Sequence, residues 1–152
     1  MSRFGGVLAL APALLIGGCA TRYTYRFDVV DHAANTTNAF EDDAVKATLA
    51  LADDSLQLDL QNKTDQVLQV EWNKIALDRG DGTTTRLRPS SDLGWVEPGN
   101  TAVAQLVPVA FPHSGAPAAA YQGRTLSLEV PMVVRHEPKT YRFNILVHVQ
   151  AR

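Results

Sequence analysis

Histidines are the side chains of this chain best suited to proton transfer or metal binding near neutral pH. His32, His113, His136 and His148 lie in four separate segments, and no two of them have the spacing of a metal-ligand pair. The sequence therefore predicts surface or loop histidines, with His148 half exposed on a strand. It predicts neither a metal nor another cofactor.

Acidic and hydroxyl side chains show no catalytic spacing either. The pairs Asp42-Asp43 and Asp53-Asp54 do not match the Asp-x-Asp-x-Asp-Gly pattern of a calcium-binding loop. Ser114 follows His113, but neighbours in sequence do not form a catalytic triad, and no Gly-x-Ser-x-Gly elbow is present. The sequence therefore predicts that the chain is not an enzyme.

Cys19 is the only cysteine, which excludes a disulfide within the chain and a cluster of thiolate metal ligands. It follows Arg3 and the apolar run VLALAPALLI at 7–16. A membrane-spanning helix needs about 20 apolar residues, so this run is too short to span a bilayer. Its length and its positive flank are typical of a cleavable export signal.

The segment Ile16-Gly17-Gly18-Cys19 resembles a lipobox, the processing site of bacterial lipoproteins. The resemblance implies cleavage before Cys19, a diacylglycerol on its sulfur and a fatty acid such as palmitate on the new amine. Such a set of acyl chains holds a protein stably on a membrane. Ala20 stands where lipoproteins of the inner membrane often have aspartate, so the resemblance implies the periplasmic side of the outer membrane.

The charge of the chain excludes several kinds of partner. Loss of Arg3 with the signal would leave 13 basic and 16 acidic side chains, a net charge of −3. Nucleic-acid binding requires a basic face, and a polybasic membrane patch requires clustered Lys and Arg. We therefore expect no nucleic-acid partner and expect membrane attachment through the lipid on Cys19.

Period-2 alternation of apolar and polar residues dominates the rest of the chain and predicts about seven strands. They cover residues 45–51, 56–60, 68–77, 83–88, 101–107, 126–134 and 141–149. A further short strand is predicted over 23–29, and one helical turn over 116–121. Turns are predicted at Asp53-Asp54, 62–65, 79–82 and 137–139.

This pattern predicts an all-β fold, an antiparallel sandwich with Trp72 as a large buried anchor. Pro131 in the sixth strand indicates a sheet edge or a bulge. The predicted organisation is a signal peptide over 1–18, a lipidated N-terminus and tether over 19–40, and a β-sandwich domain over 41–152.

The order of these features resembles that of bacterial envelope lipoproteins with an immunoglobulin-like sandwich. The resemblance covers 40–108 and implies architecture rather than activity. The residues that carry it are Phe40-Glu41-Asp42-Asp43, Leu60 to Thr64, Val70-Glu71-Trp72-Asn73, Asp81-Gly82 and Pro98-Gly99.

Two segments are candidates for partner binding. The long segment 108–123 carries Phe111, His113 and Tyr121, which would suit a protein partner if they were exposed. The alternative is a crossover between two sheets, with these aromatic rings over the core. Trp95 lies in a loop where its indole could stack on a sugar, with core packing as the alternative.

The leading functional prediction is a non-enzymatic, membrane-anchored periplasmic lipoprotein that binds or scaffolds another component of the cell envelope. One alternative is a module that binds carbohydrate or another cell-wall ligand. A second is an inhibitor or immunity-type lipoprotein that inserts the segment 108–123 into an enzyme.

Overall fold

The computed structural model describes residues 21–30, 39–51 and 55–152 of the chain. Several predictions lie outside these residues: the signal peptide over 1–18, the lipidation of Cys19, the position of His32 and the Asp53-Asp54 turn.

The described residues form eleven strands, a 3-10 turn and one short helix. The strands are β1 (Tyr23–Val30), β2 (Ala39–Glu41), β3 (Val45–Leu51), β4 (Leu56–Asn62), β5 (Gln69–Val70), β6 (Ala76–Asp78), β7 (Thr84–Arg86), β8 (Arg88–Pro89), β9 (Thr101–Val107), β10 (Thr125–Val134) and β11 (Glu137–Ala151). The 3-10 turn covers Trp72–Lys74, and helix α1 covers Gly115–Ala119, which overlaps the helical turn predicted over 116–121 but begins one residue earlier.

The strands make two packed antiparallel sheets. The first has the order β1-β11-β10-β6-β7, with β5 also paired to β10, and the second has the order β2-β3-β4-β9-β8. The predicted all-β sandwich is therefore confirmed. The immunoglobulin-like form of the sandwich stays a prediction.

The core lies between the sheets and follows from the period-2 pattern. Leu56, Leu58 and Leu60 of β4 are fully buried, while the residues between them are exposed or half-buried. Along β11 the buried positions alternate in the same way from Tyr141 to Val147. Each buried Leu or Val side chain contributes about 1.5–3 kcal/mol, so these alternating faces supply the main driving force of the fold.

The predicted strand over 68–77 is divided by the 3-10 turn. Val70 and Trp72 are two residues apart, but the next buried residue, Ile75, is three residues further on. A continuous strand would place Ile75 on the face opposite Trp72, because side chains alternate in a strand. The 3-10 turn shifts the alternation of buried and exposed side chains by one residue. Both side chains therefore enter the core, and Trp72 is buried as predicted.

The predicted strand over 83–88 is divided between the two sheets. β7 pairs with β6 in the first sheet, whereas β8 pairs with β9 in the second. Leu87 lies at the crossing point, is buried, and donates its backbone N–H to Ile75. The strand divides because the core between the sheets accepts the Leu87 side chain.

Pro131 lies in β10, which pairs with β11 on one side and with β5 and β6 on the other, so it is not on an edge strand, but the ladder with β5 and β6 skips Pro131. Its carbonyl accepts the Glu71 N–H at 3.0 Å, on the side where β5 and β6 are separated by the 3-10 turn. The nitrogen and oxygen of one strand residue point to the same side. The missing N–H of Pro131 therefore faces the gap in the neighbouring strands.

The hairpin between β10 and β11 turns earlier than predicted. Its loop is Arg135 and His136, both with positive φ (49° and 68°), whereas Glu137 already pairs with Val134. A two-residue loop of this kind matches the twist of the flanking strands. The predicted turn at 137–139 is therefore wrong, because those residues begin β11.

The N-terminal strand is an integral part of the first sheet. β1 pairs with β11 along its whole length, from Tyr23 opposite Ala151 to Val30 opposite Asn144. The short strand predicted over 23–29 is confirmed. The sheet consequently begins inside the segment predicted as a tether over 19–40.

A buried amide joins the end of β4 to two loops. The Asn62 side-chain nitrogen donates to the carbonyls of Gln66 (2.7 Å) and Val96 (2.8 Å), and its oxygen accepts the backbone N–H of Thr64 (2.9 Å). Its backbone N–H and carbonyl bond to Asn100 and Gly99, both at 2.9 Å. The predicted turn over 62–65 thus extends into a network that also holds 96–100.

We expect Asn62→Ala to destabilise the protein by about 3 kcal/mol, because it removes three hydrogen bonds between the buried amide and backbone groups, at about 1 kcal/mol each. The free energy of unfolding is measured by urea denaturation of the purified protein. Gln61→Ala, at the neighbouring position outside the core, is the control and should cost less than about 0.5 kcal/mol. Equal losses for the two variants would contradict the role of the Asn62 amide.

Candidate functional site

Phe111 and Tyr121 of the segment 108–123 are buried in the fold. Phe111 and Tyr121 are 4% and 7% exposed, and their rings meet edge to face at 5.3 Å. Phe111 also contacts the rings of Tyr25 and Phe27 on β1, at 5.2 and 5.1 Å. The segment connects β9 in the second sheet to β10 in the first, as in the crossover alternative, and Phe111 and Tyr121 present no surface to a partner.

His113, the third candidate of that segment, is exposed at the surface. Its carbonyl accepts the backbone N–H of Tyr23 at 2.9 Å, and its ring lies edge-on to Tyr25 with centroids 6.1 Å apart. His113 therefore lies at the end of the sandwich where β1 begins, far along the chain from the other histidines.

Trp95 has the most exposed large apolar side chain in the described part of the chain, at 68%. Its exposure follows from its neighbour, because Val96 is buried and forms a reciprocal bridge with Leu68, with both N–H to O distances at 2.9 Å. Side chains alternate along extended backbone. Burial of Val96 therefore turns Trp95 outward, and the core-packing alternative for Trp95 does not apply.

The indole of Trp95 borders a surface groove of about 450 Å³. The Leu68–Val96 bridge places Gln69 next to Trp95, and the pairing of β5 with β10 places Gln69 opposite Val133. We call this the Trp95 groove; its lining also includes Val67, Glu97 and His136. A smaller groove of about 80 Å³ lies between β1 and β2.

The side chains that line the Trp95 groove are of kinds suited to binding a ligand. They combine a flat apolar ring with the amide of Gln69, the carboxylate of Glu97 and the imidazole of His136. His136 holds a left-handed backbone conformation in the two-residue loop between β10 and β11, which costs a residue with a β-carbon roughly 1 kcal/mol, and it lines the groove. Such a set can stack on a planar group and form hydrogen bonds around it.

The other histidine predicted from its strand position, His148, is half-buried as expected. Its Nε2 lies 2.9 Å from a carboxylate oxygen of Asp28, which also pairs with Arg26 at 2.9 Å. Within residues 21–30, 39–51 and 55–152, no three His, Cys, Asp or Glu side chains are grouped as a metal site.

A second polar cluster joins Asp42 to β11. The Tyr141 hydroxyl donates to Asp42 at 2.9 Å, and the Lys139 ammonium lies 3.4 Å from the same carboxylate oxygen. The other Asp42 oxygen accepts the N–H groups of Ala44 (2.8 Å) and Val45 (2.7 Å). The sequence placed Asp42 in an acidic pair but gave no indication of these partners.

In this cluster the pKa of Asp42 is lowered, and the pKa values of Lys139 and Tyr141 are raised, which is opposite to the shifts that a catalytic base needs. Burial acts to raise the pKa of Asp42, but hydrogen bonds from Val45, Ala44 and Tyr141, together with Lys139, outweigh it and lower the pKa. The hydrogen bond to Tyr141 raises the pKa of Lys139, and burial raises that of Tyr141. A lysine or tyrosine used as a base needs a lowered pKa, so this cluster is suited to holding the fold together.

The ionised form of Asp42 is expected to stabilise the fold. Since its folded-state pKa lies below the usual value of 3.8, the stabilisation is present above that pH and is lost as the pH falls through the folded-state pKa. We expect Asp42→Asn to reduce the free energy of unfolding by about 1–2 kcal/mol at neutral pH. The difference in the free energy of unfolding between this variant and the unmodified protein should become smaller below pH 3.8.

Denaturation curves across acidic and neutral pH measure this difference. The matched control is Asp43→Asn, which removes only a surface contact of 3.3 Å with Arg135 and should change stability little. If Asp42→Asn lowers the free energy of unfolding by the same amount at every pH, the charge of Asp42 does not contribute to stability.

No helix in the described part of the chain is long and apolar enough to cross a membrane. No protein-family model matches the chain, and neither a curated protein nor a solved structure is significantly similar to it.

Proposed function

We propose that this chain is a non-enzymatic envelope lipoprotein that binds another envelope protein through the Trp95 groove. In this proposal lipid on Cys19 anchors it to the periplasmic face of the outer membrane. The lipobox resemblance of Ile16-Gly17-Gly18-Cys19 supports the anchor. The two packed sheets and the crossovers between them support the immunoglobulin-like form of the sandwich.

The exposure of Trp95 is the observation that carries the binding role. Exposing an indole to water at 68% has no benefit for folding, because burial of apolar surface is what stabilises a fold. Tryptophan is among the residues most enriched in the energetic centres of protein interfaces. Here polar groups of Gln69 and Glu97 surround it, as the rim of an interface surrounds its apolar centre.

The support beneath the groove is rigid, which favours recognition of a partner with little ordering cost. The buried Asn62 amide holds the loop that carries Val96, and Val96 is bridged to Leu68. Val133 belongs to β10, which is paired on both sides. The backbone on both sides of the groove is therefore fixed before a partner arrives.

A second candidate partner is carbohydrate of the cell wall. The flat face of Trp95 could stack on a sugar ring, while Gln69 and Glu97 offer an amide and a carboxylate to its hydroxyl groups. The inhibitor alternative receives less support, because Phe111 and Tyr121 of the segment 108–123 are buried.

The lipid anchor is tested with Cys19→Ala. We expect this variant to lose all incorporation of an alkyne-tagged palmitate fed to the producing bacterium, because the acceptor sulfur is gone. Ala20→Asp is the matched control and should keep the label but move the protein to inner-membrane fractions. Labelling of Cys19→Ala equal to that of the unmodified protein would contradict lipidation at Cys19.

The Trp95 groove is tested by photo-crosslinking in cells. A crosslinking amino acid at Gln69 should form one defined protein adduct, whereas the same group at Gln105, on the outer face of β9, should not. With the adduct partner purified, Trp95→Ala should weaken its binding about 30-fold, as expected for the loss of an interface hot spot.

Val103→Ala is the matched control, because Val103 is also exposed, at 56%, but lies away from the groove. It should leave the affinity unchanged, and both variants should unfold at the urea concentration of the unmodified protein. A shift of Trp95 fluorescence with cell-wall fragments, without a protein adduct at Gln69, would favour the carbohydrate candidate. Equal binding by Trp95→Ala and Val103→Ala would contradict the role of the groove.

A further inference from the structure

Two arginines face each other at the end of the first sheet. The Arg152 N–H donates to the Arg22 carbonyl at 2.8 Å, which continues the register of Tyr23 opposite Ala151 by one more pair. Directly opposed residues of an antiparallel pair have their side chains on the same face. Both arginines are exposed and border a groove of about 460 Å³ with His113 and Ser114.

Like charges directly opposite each other across two strands destabilise a sheet. In the described part of the chain, no carboxylate forms an ion pair with Arg22 or Arg152, whereas the neighbouring Arg26 is paired with Asp28 at 2.9 Å. A bound anion would relieve the repulsion. Guanidinium groups bind phosphate through paired, charge-assisted hydrogen bonds, so a phosphate group suits this pair best.

The position of Arg22 in the chain identifies the source of that phosphate. Arg22 is three residues after Cys19, and three residues span at most about 11 Å. Its backbone is held by a bridge to Ser114 and by the bond from Arg152. If Cys19 carries acyl chains in the bilayer, Arg22 must lie at the depth of the lipid head groups or just outside it.

We propose that Arg22 and Arg152 bind the phosphate of an anionic lipid head group and dock this end of the sandwich on the membrane. The proposal rests on the lipid anchor at Cys19 proposed above. It also gives the Trp95 groove a direction. That groove lies beside the β10–β11 hairpin, and β11 extends from there to the arginine pair over fifteen residues, about 50 Å of strand. The groove consequently faces away from the membrane.

The test uses the lipidated full-length product in vesicles of phosphatidylcholine, with or without phosphatidylglycerol, containing a lipid with a head-group quencher. A fluorescent dye is attached to Ser114→Cys beside the arginine pair or, in a separate sample, to Asp65→Cys beside the Trp95 groove. We expect the dye at Ser114→Cys to be quenched when phosphatidylglycerol is present, and the dye at Asp65→Cys to remain unquenched.

The double variant R22Q/R152Q should reduce the ratio of docked to undocked protein about 25-fold, since each arginine near an anionic surface contributes about a fivefold factor. The matched control R86Q/R88Q removes the same charge from exposed arginines of β7 and β8 and should dock normally. Equal quenching for the two double variants, or equal quenching at both dye positions, would overturn the proposal.

Two further readings separate the causes of a negative result. Flotation with vesicles reports the lipid anchor, so a protein that does not float overturns both the anchor and the docking. A protein that floats with an unquenched dye at Ser114→Cys overturns the docking alone. Inorganic phosphate is added at the concentration of the lipid phosphate. If it abolishes the quenching of the dye at Ser114→Cys, the arginine pair is a small-anion site in place of a lipid site.

Discussion

The buried amide of Asn62 is the interaction on which the end of the molecule that carries Trp95 depends. A buried polar group is costly unless its hydrogen bonds are made, so its partners are held in place as strictly as it is. Those partners belong to the loop after β4 and to the segment around Val96. With Val96 directed into the core, Trp95 can only face solvent. The exposure of the indole therefore follows from the burial of Val96, whose carbonyl this network bonds.

Other polar contacts in the sandwich serve the fold in the same way. Asp42 uses both carboxylate oxygens to accept hydrogen bonds, and its partners Lys139 and Tyr141 both have raised pKa values. A group whose proton is held more tightly is less able to act as a base at neutral pH. The polar residues that the fold brings together thus stabilise it, while the residues suited to binding lie at its two ends.

These two ends differ in chemistry, although the chain as a whole is mildly acidic. The net charge argued against a basic membrane patch, yet the pairing of β1 with β11 places Arg22 beside Arg152. The opposite end presents Trp95 with amide, carboxylate and imidazole groups around it. The long strand β11 connects them, so one rigid sheet sets the position of both surfaces. An anchor at one end and a recognition surface at the other is the division of labour that the proposed function requires.

The sequence by itself determined the all-β class and most strand positions, because side chains in a strand alternate and the apolar ones must be buried. The strand predicted over 101–107 has the bounds of β9, and Trp72 is buried as expected. Only the tertiary structure decided which of the aromatic residues in loops are exposed to solvent. Phe111 and Tyr121 pack on β1, whereas Trp95 stays 68% exposed, because burial depends on what the neighbouring strands present. The arginine pair depends on two residues 130 positions apart, and such a pairing is set by sheet register, which local alternation does not encode.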